Sequence, residues 1–81
     1  MVEIIRIKSI ADAQSDPHVE VRDIGAGMFL LSISFGGEGR YLDGPYLSAE
    51  AAEQDGVGLA QEQGVTRLHV VHTAAIRQTG R

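Results

Sequence analysis

The chain has no cysteine among its 81 residues, which excludes a disulfide scaffold and any thiol chemistry. No apolar run is long enough to span a bilayer. The opening Met-Val-Glu-Ile-Ile-Arg-Ile-Lys interrupts its apolar residues with charge every two or three positions, so it does not read as a signal peptide. A soluble, cytoplasmic protein is the expectation. Basic residues are also missing from one whole stretch: residues 41–66 hold Asp43, Glu50, Glu53, Asp55 and Glu62 and no lysine or arginine. That stretch carries −5 of a net −4, leaving six acids against seven bases, or +1, elsewhere. A surface of this sign repels phosphates, which argues against nucleic acid as the principal partner, and it attracts a basic protein surface.

What remains is enough for one small core. With 43% hydrophobic and 22% charged residues the composition is globular rather than disordered, and 81 residues leave no room for a second domain. Chains this short bury a modest fraction of their surface, so oligomerisation is a natural supplement.

The organising stretch is Leu47 to Val71. Ser48 stands where a helix N-cap belongs, Glu50 and Glu53 follow in the first turns where carboxylates suit the helix dipole, and Gly64 is placed to end the helix. At about 100° per residue, Ala49, Ala52, Gly56, Leu59 and Ala60 fall on one stripe, with Glu50, Gln54, Gly58, Gln61 and Glu62 opposite. Leu59 is the one large apolar residue of that stripe, so the helix can come close to a sheet that supplies most of the buried volume. Gly56 is expected to mark that close approach; Gly58 faces outward and has no packing reason.

Before the helix, Val2 to Ile10 alternates imperfectly as a strand, and Ala11 to Pro17 is the loop that leaves it. His18 to Ile24 alternates more cleanly: Val19 and Val21 face in, while His18, Glu20 and Arg22 are expected on a solvated face. Gly25-Ala26-Gly27 turns into Met28–Phe35, where Phe29, Leu31, Ile33 and Phe35 share one side and form the main wall beneath the helix. Gly36 to Gly39 makes a second hairpin turn into a short strand at Arg40 to Leu42, which Asp43-Gly44-Pro45 closes. After the helix, Arg67 to Thr73 is the last strand, and Ala74 to Arg81 a tail or short extra turn. The predicted fold class is α+β: two layers, a mainly antiparallel sheet of 4–5 strands with one helix (about 49–63) on one face.

One helix covers one face. The other is expected to show Met28 and Leu30, joined by some of Val2, Ile4 and Ile10 and by Tyr41, and a second copy of the chain is its simplest occupant. The acidic helix face, with Glu50, Glu53 and Glu62, is the second candidate surface, suited to a basic partner; an ordinary solvated face is the competing account.

Reactive chemistry finds little footing. His69 and His72 point to opposite faces of a strand and cannot share a metal, and His18, after a proline, is expected at an exposed strand edge. No Gly-x-Ser-x-Gly is present, and Ser48 is better used as a cap than as a nucleophile. Gly25-Ala26-Gly27 and Gly36-Gly37-Glu38-Gly39 each run into a strand rather than a helix, so neither is a phosphate loop. No catalytic residue, metal or cofactor is assigned.

The succession Tyr46, Ser48, Glu50-Ala51, Ala52, Leu59-Ala60 and Gly64-Val65 resembles the second half of many small bacterial or phage single-domain proteins of unknown function. It covers about a third of the chain. Some phage-encoded inhibitors of bacterial defence complexes are similar in size, acidity and strand–helix–strand layout, and the resemblance implies a role of that kind without assigning any residue to it. The sequence therefore supports a non-enzymatic, homodimeric interaction module. The alternative is a small ligand-binding or enzymatic protein with a pocket at the helix–sheet or dimer seam, using His69 or His72 with Arg67 or Tyr41.

Overall fold

The computed structural model describes residues 2–13, 16–35 and 41–74. In chain order it has β1 (Glu3–Arg6), a 3-10 turn (Ile10–Asp12), β2 (His18–Gly25), β3 (Met28–Ser34), β4 (Tyr41–Tyr46), α1 (Ala49–Glu62) and β5 (Arg67–Ala74). The α+β reading holds: one helix lies on one face of a five-stranded sheet. The sheet order is β1-β5-β2-β3-β4. β2, β3 and β4 form an antiparallel meander, while β5 slots between β1 and β2 and runs parallel to both.

The expected caps are present. Ser48 Oγ accepts a hydrogen bond from the Ala51 N–H at 3.0 Å, and Gly64, at φ +79°, follows the last helical turn in the left-handed region that glycine enters without strain. Ala52, Gly56 and Ala60 are buried against Val19, Val21, Leu31, Ile33, Leu68 and Val70, with Phe29 and Phe35 half-buried at the margins. A Cβ on Gly56 would stand 3.3 Å from both Leu31 Cδ1 and Val19 Cγ1, so the close approach expected of that glycine is real. Gly58 meets nothing within 4 Å. Val57 also packs on the core, a contribution the stripe had not included.

Two crossovers join parallel strands here. The link 7–17 carries the chain from β1 over β5 to β2, and α1 carries it from β4 back to β5, in the opposite direction across the sheet. Because such connections are right-handed in about 98% of cases, two that run in opposite directions lie on opposite faces. The helix takes one face, and the described parts of the link, 7–13 and 16–17, take the other. Accordingly Val71, which points away from α1, is only 1% exposed, and Ala13 within the link has no exposed surface.

That second cover corrects the expectation of a solvated β2 face. His18 is 7% and Glu20 3% exposed, and β2 is an interior strand, so His18 is no exposed edge residue. Alternation had shown correctly which side these residues occupy; it carries no information on what lies above them. Three further boundaries differ. β1 ends at Arg6, and Ile10 belongs to the 3-10 turn, where the Ser9 N–H donates to Asp12 Oδ2 at 3.3 Å. Val2 and Ile4 lie on the helix side, Ile4 in register with Leu68, and so do not join Met28 and Leu30. β4 continues through Asp43-Gly44-Pro45 to Tyr46 instead of closing before them. The hairpin turn expected at Gly36 to Gly39, Arg40 and the tail from 75 onward lie outside the described residues.

Candidate functional site

The acidic face divides on inspection. Glu50 is exposed in the first turn of α1 and Glu62 is exposed at its last residue, about 18 Å along the axis at 1.5 Å per residue. Glu53, between them, is committed internally. Arg6 from β1 grips it with two hydrogen bonds, Nη1 to Oε1 at 3.0 Å and Nη2 to Oε2 at 2.7 Å, and His72 Nε2 on β5 donates to Oε1 at 2.7 Å. The Arg6 hydrogen bonds hold the Glu53 carboxyl down at about 2, against the burial that opposes ionisation and with help from His72. Glu53 therefore ties α1 to two strands, whereas Glu50 and Glu62 point to solvent. Asp55 is used as well: it accepts the Tyr46 hydroxyl, and partial burial together with that carboxylate pushes the phenol well above its usual range.

The apolar candidates also shift. Met28 and Leu30 are half-buried. Greater exposure belongs to Tyr41 at 72%, Leu42 at 70% and Leu47 at 83%, three large apolar side chains within seven residues on β4 and the link to α1. Register places Tyr41 with Ile33 and Asp43 with Leu31 on the helix side, and Leu42 with Ser32 on the reverse side. The sequence signal was present in Tyr41-Leu42 and Leu47, but a strand that ended at Leu42 offered no edge on which to place them.

The histidines separate as their alternation required. His72 lies on the helix side against Glu53, and His69 on the reverse side beside His18, its register partner across β2 and β5. His18 Nδ1 donates to the Asp16 carbonyl at 3.1 Å and His69 Nδ1 to the Pro17 carbonyl at 3.3 Å. Among the described residues His18 Nε2 is buried with no hydrogen-bond partner. Next to them Glu20 accepts from Thr73 Oγ1 at 2.7 Å and pairs with Arg22 at 3.3 Å. This is a buried polar strip under the 7–17 link. Among the described residues no three His, Cys, Asp or Glu side chains are placed to hold a metal ion.

Of the residues named for a pocket, Arg67 and His69 come together. With Asp16 and Thr66 they line a cleft of about 420 Å³ where the α1–β5 loop meets the end of the 7–17 link. His72 and Tyr41 lie elsewhere. Among the described residues no helix is long and apolar enough to cross a membrane. Comparison with protein-family models, curated proteins and solved structures finds no match for this chain.

Proposed function

We propose that this protein is a non-enzymatic contact module that takes a protein partner along the β4 edge and its exit toward α1. One observation carries the reading: Tyr41, Leu42 and Leu47 are each at least 70% exposed, on an edge strand and its exit, in a stretch without lysine or arginine. Exposed apolar residues scattered singly are ordinary; here Tyr41 and Leu42 flank one edge strand from its two faces with the exposed Asp43 next to them, and Leu47 marks that strand's exit, so apolar side chains and a carboxylate lie along a single strand edge. A second copy of the chain, the occupant expected from Met28 and Leu30, finds less there, since both are half-buried.

The test is capture from the native host by crosslinking, comparing the wild type with a Tyr41→Ser, Leu42→Ser, Leu47→Ser triple variant. These side chains contribute little to the core, so the variant keeps its circular dichroism spectrum and loses the captured partner. Undiminished capture by a folded triple variant overturns the reading. A second reading rests on the cleft of Arg67 and His69, where a guanidinium and an imidazole 2 residues apart on β5 suit a small ligand with an anionic group. Saturable binding of a small carboxylate or phosphate, abolished by Arg67→Gln, supports that reading.

A further inference from the structure

We propose that the partner docks as an added strand: an extended segment of alternating basic and apolar residues pairs with the outer edge of β4 along Tyr41–Asp43. The proposal rests on the contact reading above and specifies its mode and the chemistry of the partner.

The two edges of the sheet are unequally protected. An unpaired strand edge presents a row of N–H and C=O groups, and proteins blunt it with charge, proline or brevity. β1 is four residues long and carries Glu3 and Arg6, with Glu3 facing Arg67 at 3.6 Å. β4 has β3 on one side and, among the described residues, no strand on the other. Its far half is blunted, because Pro45 has no N–H and the Gly44 N–H donates to Asp43 Oδ1 at 2.9 Å. Tyr41–Asp43 remains open. A strand laid along it has Tyr41 beside it on the helix side and Leu42 on the reverse, so both of its faces meet exposed apolar surface. Strand addition takes affinity from the main chain and specificity from alternate side chains.

Charge selects the occupant. On the helix side the added strand meets the exposed Asp43 carboxylate, and residues 41–66 hold no lysine or arginine. Arg40, directly upstream, lies outside the described residues and lowers the deficit to −4 over 40–66. Two copies joined edge to edge about a twofold axis bring two such acidic stretches together; a basic segment neutralises one.

The probes are two capped pentapeptides, Lys-Val-Lys-Val-Lys and Glu-Val-Glu-Val-Glu, titrated into the 15N-labelled full chain. The lysine peptide is expected to shift the Tyr41, Leu42 and Asp43 amides saturably and to slow hydrogen exchange at those whose N–H faces the open edge, since alternate amides already point to β3, while the glutamate peptide does neither. Asp43→Asn keeps the acceptor for Gly44 and removes the charge; it weakens the lysine peptide three- to tenfold. Leu42→Ser weakens it with the fold intact by circular dichroism. The proposal is overturned by absence of saturable shifts at millimolar peptide, by equal binding of the two peptides, or by shifts centred on Glu50–Glu62 or on the Arg67–His69 cleft. Self-association that Leu42→Ser abolishes also overturns it, since the edge then belongs to a second copy. If the peptides fail while host capture still depends on Tyr41 and Leu47, strand addition falls and the contact surface stands. If capture ignores Tyr41, Leu42 and Leu47, both fall.

Discussion

The two faces of the sheet are both buried, but by different means. Beneath α1, Val19, Val21, Leu31, Ile33, Leu68 and Val70 meet alanine and glycine, and the contact is apolar throughout. Beneath the 7–17 link, Val71 shares its face with His18, His69, Glu20 and Ser32, all nearly inaccessible, and the polar atoms of the two histidines and Glu20 are largely served by backbone carbonyls, Thr73 and Arg22. The first face is held by area removed from water. The second is held by hydrogen bonds whose loss costs more than their presence contributes, because a buried group left alone forfeits its solvation.

The largest effect tests the apolar side. Leu31→Ala leaves a cavity directly below Gly56 and is expected to cost about 2–5 kcal/mol in urea denaturation. A cost near zero would mean that the helix layer is not the principal core. Glu53, at the rim of the same face, is read by acid. Its folded pKa lies below its ordinary 4.5, near 2, so its contribution is complete above 4.5 and disappears as pH falls from there toward 2. Glu53→Gln should flatten the stability profile across that window and cost on the order of 1–3 kcal/mol at neutral pH. On the polar side, Glu20→Ala strands the Thr73 hydroxyl and leaves Arg22 beside a void, for roughly 1–3 kcal/mol. His18→Leu is the smallest change. It gives up the hydrogen bond to the Asp16 carbonyl but removes an Nε2 that has no partner among the described residues, and the two offset to within about 1 kcal/mol. A loss comparable to Leu31→Ala would show that His18 has a partner of its own.

The same contrast explains how far the sequence could be read. The apolar face was legible because caps, stripe and alternation all state local geometry: Ser48, Gly64, Gly56 and the series Phe29, Leu31, Ile33, Phe35 fall where they were placed. The polar face was not, since its cover depends on strand order, and strand order is set by contacts far apart in sequence. Two local hints were available. Leu68-His69-Val70-Val71 is buried on both sides, and its near-continuous apolar character suits an interior parallel strand better than an edge. Ser9 followed three residues later by Asp12 is a helix-start pattern straddling what had read as the end of the first strand and the start of its loop. The candidate site was only partly legible. Glu50 and Glu62 lie exposed as expected, whereas Glu53 proves to be an internal tie and the exposed apolar residues of the β4 edge needed β4 to extend past Leu42.

The central position of β5 has a consequence for synthesis. Ile4 and Leu68 sit side by side, as do Val19 and Val70, so β1 and β2 have no ladder between them until residues 67–74 have been translated. A slot about 10 Å wide, two strand spacings, stays empty in the nascent chain until its keystone emerges. Nucleation must then rest on the local β2–β3–β4 hairpins, with the long-range closure last and slowest, and a ribosome stalled before residue 67 would present two raw ladder edges to any chaperone within reach.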